Sequence, residues 1–413
     1  LIYTEEFFNI IILIAVSLIF ARVLGFLFHK LKQPAVIGEI VAGIILGGLG
    51  VFIFSGKNII IFNYSVHTLS INELLQSPEF FLFAQIGILF LLFISGLEVS
   101  FSNLKKTEKA SLYVAIGGVI LPLILGFLSG LLLDFSVSES ILIGLILTAT
   151  SVGVTVRTLM ELNVLNTNVG TTILGGAVFD DIIGIILLAF AIGIGSLIDA
   201  VWIGIKIGIF FFVFLYIGIK IIDKVLLLGE KLVLPKAFLS ISLAIFLLYS
   251  FFAYEAGIAG IIGAFVAGIL IGQNVRSENI IEDVKVIGYG FFIPIFFVYV
   301  GSSLWNNENL KISSYSSVFL FAFIIILIGI IGKIIGCGIG AKLSGMTNKE
   351  SIQVGVGMVP RMELALIIAT AGISHKIFTG QVAQTILLTT ILLTVASSII
   401  SPFLIKATFK NNK

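Results

Sequence analysis

The sequence predicts an all-α, polytopic membrane protein of about thirteen transmembrane helices, and three observations carry that expectation. Of 413 residues, 59% are hydrophobic and only 11% charged, less than half the roughly 25% charge of a soluble globular domain. Apolar runs of about 17–25 residues, each long enough to cross a bilayer, recur from one end of the chain to the other. Basic residues alternate in abundance from loop to loop, as they do between the two sides of a membrane. No separate soluble domain fits between these runs. The net charge of +2, with lysines in short loops, gives no support for nucleic-acid binding. Cys337, the single cysteine, lies in an apolar run, so no disulfide framework is expected.

The spans read as 7–28, 35–50, 80–98, 110–133, 140–161, 168–194, 200–221, 237–254, 257–273, 284–304, 316–343, 350–373 and 380–405. The first is too long for a signal-peptide core and follows the acidic pair Glu5-Glu6, so no cleavable signal is expected. Alternate loops hold Lys30 and Lys32; Lys105, Lys106 and Lys109; Arg157; Lys220, Lys224, Lys231 and Lys236; Arg276 and Lys285; Lys342 and Lys349; and Lys406, Lys410 and Lys413. That is seventeen basic residues against three, Lys57, Lys311 and Lys376, in the other set. An excess of this size predicts an external N-terminus, a cytoplasmic C-terminus and an odd number of spans.

Span 2 contains Ile37-Gly-Glu-Ile-Val-Ala-Gly-Ile-Ile-Leu-Gly47, and span 9 contains Ile262-Gly-Ala-Phe-Val-Ala-Gly-Ile-Leu-Ile-Gly272, identical at seven of eleven positions. Seven spans separate the copies, so they run in opposite directions through the membrane. Spans 1–6 and 8–13 would be two inverted six-helix repeats with span 7 between them, the build of many secondary transporters. Small residues are common in membrane helices, so chance similarity is the competing explanation.

Such transporters place their sites at discontinuous helices, and two candidates stand at corresponding places. Span 5 carries Thr148-Ala-Thr-Ser-Val-Gly-Val-Thr155, and span 12 carries Gly355-Val-Gly-Met-Val-Pro-Arg-Met-Glu363. Pro360 removes a backbone donor and clashes with the preceding turn. Unwinding there would free carbonyls for a cation and expose helix ends whose partial charges need compensation. A simple proline kink also fits; the charges on Arg361 and Glu363 favour the break.

Carboxylates at bilayer depth cost at least about 2.5–3.5 kcal/mol each, so by default they mark a function. Asp180 and Asp181 lie mid-span in an apolar helix. Adjacent helical residues point about 100° apart, so one can face a cavity while the other faces a neighbouring helix. A carboxylate poised between burial and a nearby cation can hold a proton or a small hard cation, but not both well. Lys333, also mid-span, needs an anionic partner. Gly332, Gly336 and Gly340 beside it would admit a close backbone. A purely structural ion pair is the plainer alternative, and the two roles are compatible.

The glycine runs lie inside apolar spans and do not suit phosphate binding. His29, His67 and His375 fall near span ends or in loops, at no spacing that suits a metal. Glu39 and Glu98 fit either helix capping or the lining of a funnel. Arg22 has no assigned role.

Several motifs together resemble the monovalent cation–proton antiporter superfamily, along almost the whole chain. They are Lys32-Gln-Pro-Ala-Val-Ile-Gly-Glu-Ile-Val-Ala-Gly43, Phe93-Ile-Ser-Gly-Leu-Glu98, Ala149-Thr-Ser-Val-Gly-Val-Thr155 and Ala177-Val-Phe-Asp-Asp-Ile-Ile-Gly184. The resemblance is greatest to the branch holding NapA-type sodium–proton exchangers and Kef-type potassium efflux systems. The Kef-type branch commonly has Gln-Asp where this chain has Asp180-Asp181, and carries a cytosolic nucleotide-binding domain. The chain stops about eight residues past its last span, and both differences favour the sodium–proton branch. Met362 stands where the family often has glycine, and Gly48 where it often has proline.

The resemblance implies a non-enzymatic homodimer in a prokaryotic plasma membrane, with the lipid bilayer as its other partner. It needs no cofactor beyond transported Na⁺ and H⁺. Residues 1–105 and 237–305 would form a scaffold, 106–196 and 314–406 an ion-translocating core that moves as an elevator, and 200–221 a linker helix. Asp181 would carry Na⁺ or protons, with Thr150 and Ser151 completing the shell. Asp180 would pair with Lys333, and Arg361 and Glu363 would stabilise crossing broken helices. Asp-Asp with a lysine also resembles electrogenic exchangers. A K⁺/H⁺ antiporter, a Na⁺-coupled organic-anion symporter and a gated cation channel are the alternative functions.

Overall fold

In hydrocarbon every backbone N–H and C=O must find its partner within the protein, so the apolar runs fold as helices. The computed structural model describes residues 5–52, 59–61, 64–66, 71–192, 197–231, 236–273, 277–305 and 315–409. In chain order the helices are α1 (Glu5–Lys30), α2 (Ala35–Phe52), α3 (Ile71–Leu75), α4 (Pro78–Glu98), α5 (Phe101–Leu132), α6 (Val137–Thr148), α7 (Val152–Glu161), α8 (Asn168–Ala191) and α9 (Leu197–Lys231). They continue as α10 (Ala237–Glu255), α11 (Gly260–Gly272), α12 (Ser277–Ile287), α13 (Ile293–Ser302), α14 (Tyr315–Leu343), α15 (Asn348–Gly357), α16 (Glu363–Ser374) and α17 (Gly380–Phe409). A π-helical turn, Gly288–Phe292, joins α12 to α13. The only strands among the described residues, β1 (Ile59–Ile61) and β2 (Tyr64–Val66), pair antiparallel with Ile60 opposite Ser65; the hydropathy pattern does not mark them.

Ten helical segments among the described residues are long and apolar enough to cross a membrane, counting Val137–Glu161 as one. Three shorter apolar helices, Ala35–Gly50, Gly260–Gly272 and Leu364–Ser374, accompany them. The chain is thus a multi-pass membrane protein. Two helices outrun their expected spans. The 32 residues of α5 reach about 48 Å at roughly 1.5 Å per residue, beyond the roughly 30 Å hydrocarbon core. Lys105, Lys106 and Lys109 therefore lie on its first turns rather than in a loop. Likewise α9 continues through Lys220, Lys224 and Lys231. Charged turns cost nothing in hydrocarbon once the helix has left it. Lys57, His67, Arg276, Lys311, Lys410 and Lys413, and the side chain of Glu363, lie outside the described residues.

Packing divides the chain into two units, Leu1–Phe90 with Val286–Ser313, and Leu91–Lys285 with Ser314–Lys413. Within the first, α2 and α13 touch backbone to backbone. A Cβ on Gly43 would overlap the Val298 carbonyl, and one on Gly301 would overlap that of Ile40. Trp305 packs on Gly47 and Gly48, and its indole N–H donates to the Ile44 carbonyl at 2.8 Å. Arg22, unassigned from sequence, donates to the Tyr289 carbonyl in the π-helical turn and stands 3.8 Å from the buried carboxylate of Glu39. It thereby ties α1 to both neighbours.

Within the second unit, α11 meets the C-terminal end of α4 in the same manner. A Cβ on Gly268 would overlap the Phe93 carbonyl, and one on Gly96 would overlap that of Phe265. The α5–α14 pair repeats the device with Gly117 and Gly336 each against the other's carbonyl, and Gly340 against that of Tyr113. Gly332 instead rests on Pro122 and Leu125. Glu98, at the end of α4, pairs with Lys285 at 2.5 Å.

Candidate ion site

Spans 5 and 12 both break. The first half-helix, α6, starts on a capping box in which Glu139 and Ser136 bind each other's backbone N–H. It ends at Thr148; Ala149 and Ser151 are extended, and α7 begins at Val152. In the same way α15 starts on a Thr347–Glu350 capping box and ends at Gly357. Pro360 sits in the gap before α16, where its missing N–H does no harm.

The two gaps lie against each other and are stitched together. The Ser151 N–H donates to the Pro360 carbonyl at 2.6 Å, and the Thr155 hydroxyl to the Gly357 carbonyl at 2.7 Å. The Ser151 hydroxyl lies 2.9 Å from the Met362 sulfur. Met362, which stands where the resembled family often has glycine, thus packs where the two gaps meet.

Two buried cations serve the exposed end of α6. Lys333 Nζ donates to the Thr148 carbonyl at 2.6 Å, the Gly118 carbonyl at 3.0 Å, and the Asp180 carboxylate at 3.1 and 3.0 Å. An ammonium has three N–H bonds, and this one has a partner for each. Arg361 donates to the Ala149 carbonyl and, at 2.8 Å, to the Gly329 carbonyl. Its backbone N–H is received by Ser397 at 3.0 Å. Both side chains are fully buried. The C-terminal end of a helix carries a partial negative charge and unpaired carbonyls, so a broken helix here calls for two cations.

Asp180 and Asp181 are both buried on α8. With Lys333 and Arg361 they make two carboxylates and two cations in one apolar setting. The Thr150 side chain adjoins the Asp180 carboxylate. The fold therefore gathers Asp180, Thr150, Lys333 and Arg361. It turns the Ser151 hydroxyl toward Met362 instead, because the backbone of Ser151 is fixed by Pro360. Ser397, Gly118 and Gly329 escape sequence reasoning, two of them because they act through backbone carbonyls. Among the described residues, no group of three or more His, Cys, Asp and Glu is placed to hold a metal ion.

Apolar helices that break beside buried carboxylates are the build of secondary transporters. Residues 13–406 match the family described as sodium/hydrogen exchanger, transmembrane. A probable Na⁺/H⁺ antiporter, GerT, of Bacillus cereus is 36% identical over 366 residues, covering 88% of this chain and 91% of that one. The Na⁺/H⁺-K⁺ antiporter GerN of the same organism is 34% identical, covering 98% and 96%. A Na⁺/H⁺ antiporter of Enterococcus hirae is 33% identical, covering 98% and 100%. The solved sodium–proton antiporter MjNhaP1 of Methanocaldococcus jannaschii superposes with a TM-score of 0.69 at 19% identity, covering 96% of this chain and 94% of that one; this likeness is one of fold. The chain belongs to the sodium/hydrogen exchanger family of secondary active antiporters, within the monovalent cation–proton antiporter superfamily.

Proposed function

We propose that this chain exchanges Na⁺ for H⁺ across a prokaryotic plasma membrane, with Asp181 as the shared ligand for ion and proton. The observation that carries this reading is the Lys333–Asp180 pair at the broken end of α6. It commits Asp180 to a fixed cation, and the adjacent Asp181, buried on the same helix and pointing about 100° away, is the carboxylate we assign to the exchanged ion. Deprotonated Asp181 would take Na⁺ with Thr150, water and unwound-backbone oxygens near Ser151. Protons would displace the ion on the opposite side. Arg361, with Glu363, holds the crossing together while the site moves.

The branch we assign is the NapA-type one, on Asp180, Asp181 and Lys333 together. Thirteen spans in two inverted repeats account for the motif shared by α2 and α11. They also account for the paired close contacts of α2 with α13 and α11 with α4. In each, the seventh residue of the motif, Gly43 or Gly268, meets a glycine-bearing helix. The scaffold would comprise 1–105 and 237–305, the elevator core 106–196 and 314–406, and the linker 200–221. Two such chains form a homodimer with external N-termini and cytoplasmic C-termini. Exchange is electrogenic if Asp180 and Asp181 both titrate in one cycle. The name of GerN, which includes K⁺, keeps K⁺/H⁺ exchange as the second reading.

The test is proton flux in proteoliposomes with Na⁺, Li⁺ or K⁺, with and without a membrane potential. Asp181→Asn should abolish Na⁺-driven proton flux; full retained flux would sink the assignment. Faster flux with K⁺ than Na⁺ favours the second reading.

A further inference from the structure

Beyond the ion site, α17 carries a row of hydroxyls whose chemistry the exchange mechanism above does not use. At about 100° per residue, Thr390, Thr394, Ser397, Ser398 and Ser401 fall within one arc of about 100° on the helix. All five are buried, on a helix packed against α7, α14, α15 and α16. Small hydroxyl side chains in a membrane helix ordinarily bond back to the preceding turn, as Thr390 does to the Ile386 carbonyl at 2.8 Å. The hydroxyls of Thr394, Ser398 and Ser401 have no hydrogen-bond partner among the described residues. Pro402 adds to this, since it has no N–H to give the Ser398 carbonyl one turn back.

Three unpartnered hydroxyls and a freed carbonyl, spread over about 10 Å at roughly 1.5 Å per residue, cannot stay dry without a large desolvation cost. Ordered water with two to four polar partners is the usual remedy. Within the row, Ser397 receives the Arg361 N–H and donates to the Thr394 carbonyl at 3.2 Å, which ties the row to the broken helices. From there Arg361 leads to the Ala149 carbonyl, one residue before Thr150, whose side chain adjoins the Asp180 carboxylate. Toward the C-terminal end of α17, the buried amide of Gln353 donates to the Thr408 carbonyl at 3.1 Å, so polar groups continue along the same helix.

We propose that the hydroxyl face of α17 holds a file of water that delivers protons between the C-terminal end of this helix and the ion site, by a route Na⁺ does not use. In each hop a hydroxyl oxygen accepts a proton from one neighbour and releases its own to the next, so no net charge is left behind. A row of neutral hydroxyls with no carboxylate among them offers Na⁺ too few oxygens to replace its water. The proposal rests on the ion-site reading above.

The test separates the two exchange modes in proteoliposomes. Radiolabelled Na⁺ counterflow at constant pH needs the ion site but no proton; Na⁺-driven proton flux needs both. The variant Thr394→Val, Ser398→Ala, Ser401→Ala should keep counterflow while proton flux falls by at least about tenfold, the scale of a lost proton-transfer group. Unchanged proton flux overturns the proposal, and so does an equal fall in both modes in protein that elutes and melts like the parent. Should the triple variant fail to fold, Ser398→Ala, Ser401→Ala is judged by the same criteria. Asp181→Asn should lose both modes; counterflow surviving it would count against the ion-site reading and leave the hydroxyl comparison intact.

Discussion

Lys333 grips both oxygens of Asp180, at 3.1 and 3.0 Å, while the same ammonium caps the Thr148 carbonyl at the end of α6. The ion pair and the broken helix are therefore one structure. Removing the lysine would strand a buried carboxylate and an uncapped helix end together.

Lys333→Ala should accordingly lower thermal stability in detergent by about 3–5 kcal/mol, the cost of an orphaned buried charge. Adding Asp180→Asn should recover part of it, since the stranded charge is then gone. A double variant no more stable than Lys333→Ala would mean that the lysine acts chiefly on the α6 carbonyls. If Lys333 takes part in charge movement, Lys333→Gln should also make exchange insensitive to membrane potential.

Ser397 acts on Arg361 through its backbone, accepting the N–H at 3.0 Å. Ser397→Ala leaves that buried donor unsatisfied, which costs about 1–3 kcal/mol. We expect a matching fall in melting temperature. Ser397→Thr, which keeps the oxygen, should restore most of it.

In the Leu1–Phe90/Val286–Ser313 unit, Arg22 bridges the buried Glu39 and the Tyr289 carbonyl of the π-helical turn. Arg22→Ala should reduce the yield of folded protein and its melting temperature while leaving the apparent affinity for Na⁺ unchanged. A shifted affinity would implicate this unit in ion binding.

Because Na⁺ and protons compete for one carboxylate, protonation should oppose Na⁺ uptake. Below the carrier's own pKa, the Na⁺ concentration giving half-maximal flux should rise about tenfold per pH unit if one proton competes. It should rise more steeply if two compete. A half-maximal concentration that stays flat across two pH units would exclude direct competition.

Gly43 and Gly301 admit no side chain without moving the facing carbonyl. Gly43→Val should cost at least about 1–3 kcal/mol, the range for overpacking, and should be read as lost expression of folded protein. Gly204 has open space around its Cβ position, so Gly204→Ala serves as the control.

The helical bundle was legible from composition because apolar length alone forces helix in a bilayer. The breaks were legible too, from Pro360 and from the hydroxyl run at Thr148–Thr155, since both weaken a helix locally. Asp180, Asp181 and Lys333 announced themselves by their cost in hydrocarbon. The Ser151 hydroxyl, expected from the sequence as an ion ligand, lies 2.9 Å from the Met362 sulfur, a neighbour the sequence does not mark. The true lengths of α5 and α9 were hidden because hydropathy stops where a helix leaves the bilayer, and the helix does not.

The sequence by itself determined that this chain lies in a membrane, that its helices break at two places, and that it must keep two carboxylates and two cations away from lipid. Each of these follows from local chemistry, read one segment at a time. The family resemblance already paired Asp180 with Lys333; only the tertiary structure decided the other partners: Lys333 with Thr148, Arg361 with Ala149 and Gly329, Ser397 with the Arg361 backbone. These contacts join residues up to 212 positions apart, and several run to backbone carbonyls, which carry no mark in the amino-acid code. Charge says that a partner is required; the packing of helices across the bilayer says which one it is.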